Sequence, residues 1–311
     1  MTELFKLEHH PVFEKGIFQK HPELFNRFAH YTSDVMKAKF RKAWESLPSF
    51  EGSITWALVS GPGFCGGTHP GADSIFLDTM LGSNNFIYNS DCLYINPSLK
   101  VFAVSDPPGI TDTSRKIFTK LDRRLKTSGI SALESILNGL NEETKVEDGA
   151  TLCLVAFPEN GQAGHHAIAF IAGDSLLFRG NLSKGNLTPV EGSPNFFATP
   201  YTSLTPLYID LEEDDFFIIA SDGIFSIRGE DREKPLEDAL QERVNGEIEG
   251  FAYRAIRDSN RYLEESINNQ TLSRFGGSDN ISALLVYPEG LADVSSRESF
   301  ILGGYIHRSR R

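Results

Sequence analysis

The sequence predicts an α+β fold in which two packed antiparallel β-sheets are flanked by helices. Short apolar runs rich in Val, Ile and Phe recur along the chain, as is typical of buried strands. These runs outnumber the amphipathic helical patterns, and several lie too close together for a crossover helix between parallel strands. Antiparallel sheets with helices on the outside satisfy all three observations.

The first 50 residues carry a separate pattern. Between residues 21 and 47, apolar residues recur at three- and four-residue spacing, which predicts one or two amphipathic helices. A Pro-Ser-Phe-Glu-Gly segment at residues 48–52 then ends the helical pattern. We therefore expect an N-terminal helical extension at residues 1–50 and a larger domain at residues 51–311.

Within the larger domain, eight strands and three helices are predicted from the apolar patterns. The predicted strands span residues 54–60, 91–95, 101–104, 151–157, 166–172, 175–179, 216–220 and 281–287. The predicted helices span residues 114–126, 131–140 and 234–268.

Composition excludes some classes of partner and compartment. With 311 residues and 40% hydrophobic content, the chain can bury a sizeable core. Its net charge of -12 argues against nucleic acid and anionic membrane surfaces as partners. Cys65, Cys92 and Cys153 are isolated in the sequence, which favours reduced core thiols over disulfides or a zinc cluster. With neither a signal-like N-terminus nor an 18-residue apolar run, we expect a cytoplasmic location.

Three aspartates stand where predicted strands begin or end. Asp106 and Asp222 follow strands and precede Pro or Gly, whereas Asp279 precedes a strand. If these strand ends converge, each close pair of carboxylates repels by roughly 4 kcal/mol at an effective dielectric constant of about 20. A hard divalent cation, which prefers oxygen ligands, would offset this repulsion.

Six short motifs occur in a defined order along the chain. They are Asn89-Ser90-Asp91, Phe102-Ala103-Val104-Ser105-Asp106, Gly149-Ala150-Thr151-Leu152, Ala172-Gly173-Asp174-Ser175, Ala220-Ser221-Asp222-Gly223 and Gly276-Gly277-Ser278-Asp279-Asn280-Ile281-Ser282. In this order and approximate spacing, the chain resembles the type 2C, metal-dependent (PPM) protein phosphatases from about Ser53 to Glu289. The Ser-Asp-Gly and Asp-Asn elements are the most specific of the six.

The resemblance implies a PPM-type β-sandwich with a binuclear Mn²⁺ or Mg²⁺ centre in a cleft at one edge. It implies Asp106, Asp222 and Asp279 as metal ligands, together with the backbone carbonyl of Pro107. We expect Asp91 to be a further, weaker ligand, either directly or through water. Two such ions can activate a bridging water and neutralise a phosphoryl group. The implied activity is hydrolysis of phosphoserine or phosphothreonine in a phosphoprotein substrate.

The chain departs from the family pattern at several positions. The usual Asp-Gly-x-Gly-Gly is Asp-Pro-Pro-Gly-Ile at residues 106–110. Pro108 stands where many eukaryotic members carry a histidine proposed as general acid, and Ser90 stands where an acidic residue is common. Residues 84–89 lack the expected phosphate-binding arginine, and Ser226 replaces a frequent aspartate. These departures keep open a catalytically weak or inactive pseudophosphatase that acts as a regulatory or binding module.

Other acidic residues near these motifs have simpler interpretations. Asp174 lies in a Gly-Asp-Ser turn, which favours a structural role. Glu147 and Asp148 precede the Gly-Ala-Thr motif, near where some family members place a ligand for a third metal. A solvated turn is the preferred interpretation of this pair.

A glycine-rich segment at residues 61–66 leaves a third alternative open. It satisfies G-x-G-x-x-G after a predicted strand, so an unrelated nucleotide-binding enzyme is possible. The residues that follow, at positions 67–71, cannot start the helix that would hold a pyrophosphate. Near the cleft, the segment could instead offer backbone N–H groups to a phosphate.

Overall fold

Two antiparallel sheets make up the body of the fold, which confirms the predicted fold class. The computed structural model describes residues 4–11, 55–70, 86–144, 149–158, 166–199, 204–224, 279–291, 294 and 298–308. Its strands are β1 (Lys6–Pro11), β2 (Thr55–Gly61), β3 (Phe64–His69), β4 (Phe86–Asn96), β5 (Val101–Ser105), β6 (Leu152–Ala156), β7 (His166–Ala172), β8 (Leu176–Asn181), β9 (Asn186–Val190), β10 (Leu207–Asp210), β11 (Asp215–Ala220), β12 (Ile281–Val286) and β13 (Phe300–Arg308).

The strands divide between a seven-stranded and a six-stranded sheet. The first has the order β1-β2-β3-β12-β11-β8-β9, and the second has the order β10-β7-β6-β5-β4-β13. All pairings between neighbouring strands are antiparallel.

Aromatic side chains fill the space between the two sheets. Phe102 of the six-stranded sheet packs on Phe64 of the seven-stranded sheet, with ring centroids 5.6 Å apart. Phe157 contacts both Phe102 and Phe217, at 6.1 and 5.5 Å. Because such rings each bury a large apolar area, this cluster holds the sheets face to face.

Two helices cover the outer face of the six-stranded sheet. They are α1 (Thr113–Ser128) and α2 (Leu133–Glu143), close to the predicted ranges. Both bury apolar residues at three- and four-residue spacing, and Phe118 of α1 stacks on Tyr94 of β4 at 5.6 Å. Because helices lie on one face and the second sheet on the other, β5 and β6 are buried throughout.

Five strands are not among those predicted: β1, β3, β9, β10 and β13. The first of them, Lys6–Pro11, lies before the predicted helices of the N-terminal extension and pairs with Thr55–Gly61. The helices predicted at residues 21–47 and 234–268 lie outside the described residues. Among the helices that the structure describes, none combines the length and apolar composition needed to span a bilayer.

The glycine-rich segment forms a hairpin and not a phosphate loop. Its first residues make the turn between β2 and β3, and Phe64–His69 is a buried strand. In the pairing with β12, Phe64 lies opposite Val286 and His69 opposite Ile281. The turn is therefore at the end of β12 remote from Asp279. Both the nucleotide-binding alternative and the placement of this segment near the cleft are wrong.

A buried carboxylate ties β8 to the start of β11. Oδ2 of Asp215 accepts hydrogen bonds from Nε and Nη2 of Arg179, at 3.0 and 2.6 Å, and from the backbone N–H of Glu212 at 2.8 Å. Its Oδ1 accepts from Nδ2 of Asn181 at 2.9 Å. Burial raises the pKa of Asp215, but these hydrogen bonds and the charge of Arg179 outweigh it and hold the pKa below its usual value.

We expect Asp215→Asn to lower the free energy of unfolding by about 1–3 kcal/mol near pH 7, because a charge-assisted set of hydrogen bonds is lost. Since the folded pKa is depressed, this contribution is present above the unfolded pKa of about 3.9 and disappears as pH falls through the folded value. Urea unfolding of both proteins from pH 7 to pH 3 measures the difference.

The matched control is Asp210→Asn, which changes an exposed aspartate on β10, an edge strand of the six-stranded sheet. This substitution should alter stability by less than about 0.5 kcal/mol. A stability difference between wild type and Asp215→Asn that stays constant down to pH 3 would contradict the assignment.

Candidate metal centre

The predicted strand ends meet at one edge of the sandwich. Asp222 follows β11 and Asp279 precedes β12, and these strands are neighbours in the seven-stranded sheet. Asp106 follows β5, while Asp91 lies in β4, the neighbour of β5 in the six-stranded sheet. The charges of Asp222 and Asp279 raise the pKa of both Asp91 and Asp106, and the charge of Asp91 raises that of Asp106 as well. The structure thus places the four aspartates at the same edge, and their assignment as metal ligands stays a prediction.

Asp91 is fully buried, with none of its surface exposed. Its pKa is raised to about 7, first by burial and then by the charges of Asp279 and Asp222, although the hydrogen bond from Ser221 lowers it. The bond from Ser221 is short, with 2.6 Å between Oγ and Oδ2. The ionised form of Asp91 therefore depends on the polar groups around it.

Asp106 shares this electrostatic setting. Burial raises its pKa well above the usual value, and the negative charges of Asp91, Asp222 and Asp279 raise it further. The charged form of Asp106 is therefore unfavourable unless a positive group lies close to it.

Asp174 belongs to the same acidic region, although its Gly-Asp-Ser turn favours a structural role in the sequence. Burial raises the pKa of Asp279, the backbone N–H of Asn280 lowers it through a 2.7 Å hydrogen bond, and the charge of Asp174 raises it. The sequence signal that could have placed Asp174 in this region is the position of its Gly-Asp-Ser turn directly after β7. Glu147 and Asp148 lie outside the described residues.

The turn after β5 is held by Thr151 at the start of β6. The backbone N–H of Asp106 donates to Oγ1 of Thr151 at 2.7 Å, and the N–H of Thr151 donates to the carbonyl of Asp106 at 2.8 Å. Oγ of Ser105 donates to the Thr151 carbonyl at 2.6 Å. Pro107, whose carbonyl is a predicted ligand, follows this pinned residue and is buried.

Ser90, a departure from the family pattern, connects two of the turns. Its backbone N–H donates to Oδ1 of Asn280 at 2.7 Å, and its Oγ donates to the carbonyl of Gly109 at 2.8 Å. Asn280 in turn donates from Nδ2 to the carbonyl of Pro70 at 2.5 Å. The serine therefore supports the rigid turn after Asp106 and the segment that carries Asp279.

A bulge in β4 sets the position of Asp91. Cys92 lies opposite Gly303 and Asn89 opposite Tyr305, so Ser90 and Asp91 together face one residue of β13. Bulges of this kind redirect side chains and are common beside functional sites. Gly303 has φ 81, and a Cβ there would overlap the Asp91 carbonyl, so the contact needs glycine.

The polar atoms of the region fit a hard cation in chemistry. Oδ1 of Asp91 and Oδ1 of Asn89 are buried, and within the described part of the chain neither has a hydrogen-bond partner. Among the described residues, the charges that act on Asp91, Asp106 and Asp279 are carboxylates, the ligands that Mg²⁺ and Mn²⁺ prefer. Among the described residues, however, no three His, Cys, Asp or Glu side chains are already grouped as a metal site.

The register places one basic residue near the segment that lacks the expected arginine. Arg308 of β13 pairs with Phe86 of β4. Ser226, another departure, lies outside the described residues.

Comparison with known proteins rests on structure. No family model and no curated protein matches the sequence. The PPM Ser-Thr phosphatase MsPP from Mycobacterium smegmatis, solved in complex with cacodylate, is 19% identical with a TM-score of 0.51, over 72% of this chain and 97% of that chain. The chain has the PPM phosphatase fold. This confirms, for the fold, the resemblance carried by the six motifs.

Two further solved structures match a similar share of this chain. PppA from Pseudomonas aeruginosa, described as a key regulatory component of T6SS, is 23% identical with a TM-score of 0.49, over 72% of this chain and 96% of that chain. The serine/threonine phosphatase PstP/Ppp from Mycobacterium tuberculosis is 15% identical with a TM-score of 0.48, over 72% and 97%.

We expect Gly223→Ala to disturb the centre through the backbone. A Cβ at Gly223 would overlap the carbonyl of Asn280, so β12 must move away from the turn that carries Asp222. The strain should lower the free energy of unfolding by roughly 1–3 kcal/mol and weaken Mn²⁺ binding. Thermal unfolding and calorimetry measure the two effects.

Gly139→Ala in α2 is the control, because its Cβ would meet only Nη1 of Arg124, at 3.3 Å. Alanine favours a helix over glycine, so stability should be unchanged or higher by up to about 1 kcal/mol. If Gly223→Ala were as stable as wild type and bound Mn²⁺ equally well, the close approach would not matter to the centre.

Proposed function

We propose that this protein is a metal-dependent phosphatase that hydrolyses phosphoserine or phosphothreonine in phosphoprotein substrates. The observation that supports this most directly is the meeting of four buried or partly buried aspartates from two sheets at one edge of a PPM fold. Their mutual repulsion has no described cationic partner among the main causes of their pKa shifts. A binuclear Mn²⁺ or Mg²⁺ centre would supply the missing positive charge.

In this proposal Asp106, Asp222 and Asp279 hold the ions, with the carbonyl of Pro107 and the carboxylate of Asp91 as further ligands. Bound ions of this kind lower the pKa of a shared water and neutralise phosphoryl oxygens. The protein's own contribution is positional. The hydrogen bonds that pin Asp106 keep its carboxylate at the sheet edge, so little reorganisation is needed on binding.

Substrate affinity should depend mainly on the ions. An arginine would give a phosphate dianion bidentate, charge-assisted bonds worth roughly 1.5–3 kcal/mol. Residues 84–89 contain no arginine, and no arginine is among the main charges acting on Asp91, Asp106 and Asp279. We therefore expect a high KM.

The alternative is a pseudophosphatase that acts as a regulatory or binding module. Two observations favour it. Residues 106–110 depart from the family's Asp-Gly-x-Gly-Gly motif. Among the described residues, no three acidic, His or Cys side chains are close enough together to hold one metal ion. The two proposals agree on the fold and differ on turnover.

A cytoplasmic location is part of the proposal. The three cysteines, Cys65, Cys92 and Cys153, are buried, and none of them forms a disulfide. Burial raises the pKa of the Cys92 and Cys153 thiols, so both stay protonated and unreactive. Buried thiols outside any disulfide suit a reducing compartment.

Calorimetric titration should show Mn²⁺ binding at micromolar to millimolar concentrations. Asp222→Asn and Asp279→Asn should each weaken it at least about tenfold, or about 1.4 kcal/mol, because each removes a charged ligand. Asp210→Asn, at the opposite end of the sandwich, is the matched control and should bind as wild type does. Equal affinity in wild type and both ligand variants would refute the site.

The enzyme should show slow, Mn²⁺-dependent hydrolysis of p-nitrophenyl phosphate. EDTA should abolish it because the ions supply both the nucleophile and the phosphate affinity, and Asp222→Asn should abolish it for the same reason. The measurement is initial rate against substrate across a range of Mn²⁺ and Mg²⁺ concentrations. If folded, metal-loaded protein shows no turnover, the pseudophosphatase is the correct alternative.

A further inference from the structure

A buried hydrogen-bond relay joins Asp91 on one sheet to two serines on the other. Oγ of Ser221, directly after β11, donates to Oδ2 of Asp91 at 2.6 Å. The same oxygen accepts from the backbone N–H of Ser282, in β12, at 2.9 Å. The backbone N–H of Ser221 donates to the Ser282 carbonyl at 3.0 Å. All three residues are fully buried, so water does not compete for the hydrogen bonds of the relay.

The relay continues through a second contact between the sheets. Oγ of Ser282 bonds Oγ1 of Thr68 in β3, at 2.8 Å. Nδ2 of Asn89 in β4 donates to the same Thr68 oxygen, also at 2.8 Å. The chain of bonds therefore leaves β4 at Asp91, passes through the seven-stranded sheet and returns to β4 at Asn89.

The two oxygens of Asp91 differ in their surroundings. Oδ2 is held by Ser221, whereas Oδ1 is buried and has no hydrogen-bond partner in the described part of the chain. Burying a carboxylate oxygen without a partner is unfavourable unless another group occupies that position. Oδ1 is thus the atom left for a cation, and Ser221 fixes the orientation in which it is presented.

The hydroxyl group of Ser221 already uses most of its hydrogen-bonding capacity. Its hydroxyl hydrogen is committed to a carboxylate, and one lone pair is committed to a backbone N–H. Charge-assisted O–H···O⁻ bonds are short and strong, and they lock the geometry of both partners. Ser221 immediately precedes Asp222, a predicted ligand after β11 of the seven-stranded sheet, and it bonds Asp91, a predicted ligand in β4 of the six-stranded sheet. One residue therefore connects a predicted ligand of each sheet.

We propose that Ser221 is a positioning residue of the metal centre, which holds the Asp91 carboxylate in the orientation that leaves Oδ1 for the cation. Ser282 and Thr68 hold Ser221 and complete the connection between the sheets. This inference rests on the proposed metal-dependent function and names the residue that orders its ligand set.

Calorimetric titration of Mn²⁺ into Ser221→Ala tests the role without any turnover. Partners that orient metal ligands typically contribute 10–100-fold in affinity, so we expect a loss of roughly tenfold. Ser221→Cys keeps a side chain of similar size with a poor donor, and it should show the same loss if the alanine variant does not fold. Ser221→Thr keeps the hydroxyl and should restore part of the affinity.

Tyr94→Phe is the control for removal of a buried hydroxyl. Tyr94 is fully buried, and its hydroxyl donates to Oδ1 of Asp122 at 3.2 Å and accepts from Nδ2 of Asn96 at 3.0 Å, neither of them a predicted ligand. It should lose stability, as Ser221→Ala does, while its Mn²⁺ affinity stays at the wild-type value. Equal losses of Mn²⁺ affinity in Tyr94→Phe and Ser221→Ala would show a general effect of destabilisation and overturn the proposal.

A double-mutant cycle separates action through Asp91 from any other route. In an Asp91→Asn background, Ser221→Ala should cause no further loss of Mn²⁺ affinity, because the group that it orients has changed. Additive losses would overturn the proposal. If wild type binds Mn²⁺ and Asp222→Asn weakens binding while Ser221→Ala does not, only this inference fails. If wild type binds no Mn²⁺, the proposed function fails and this inference with it.

Discussion

The constraint on which this structure depends is the repulsion among aspartates that two sheets bring to one edge. Asp91, Asp106 and Asp279 all have raised pKa values, first because of burial and then because of neighbouring carboxylates. No packing of apolar groups relieves such repulsion, so the surrounding polar groups must hold each carboxylate individually. On one sheet, Oγ1 of Thr151 accepts a hydrogen bond from the Asp106 backbone N–H and so fixes the turn that carries this carboxylate. From the other sheet, Ser221 donates to the Asp91 side chain.

The parts of the fold that could be predicted from sequence are the strands buried on both faces. β5, β6, β11 and β12 appear as continuous apolar runs, because helices or a second sheet cover each side. β9 and β10 alternate between exposed and partly buried residues over only a few positions. β3 reads Phe-Cys-Gly-Gly-Thr-His and is nevertheless fully buried, because β12 and β2 pair with it on either side. Local composition cannot show that kind of protection.

The residues of the candidate site also divide into those that the sequence can indicate and those that only the packing of the sheets reveals. Asp106, Asp222 and Asp279 could be predicted because each stands beside a strong strand signal and a turn residue. The bulge that places Asp91 could not, because it is a property of the pairing between β4 and β13 and β13 itself was not predicted. Ser221 was visible only as part of a Ser-Asp turn. Its partner Asp91 lies 130 residues away, and only the packing of the two sheets brings them together.

The carboxylate cluster also relates the metal-free chain to the metal-bound state that we propose. Because burial and neighbouring charges raise the pKa of Asp91 and Asp106, a bound proton offsets part of the repulsion when no cation is present. A divalent cation would bind the same oxygens and release the proton, since metal ligands act in their deprotonated form. Proton and cation are therefore competing solutions to one electrostatic problem. A chain that kept the cluster without binding a cation would retain the repulsion with only protons to offset it. For that reason, the presence of four aspartates at this edge fits a metal centre better than a structural turn.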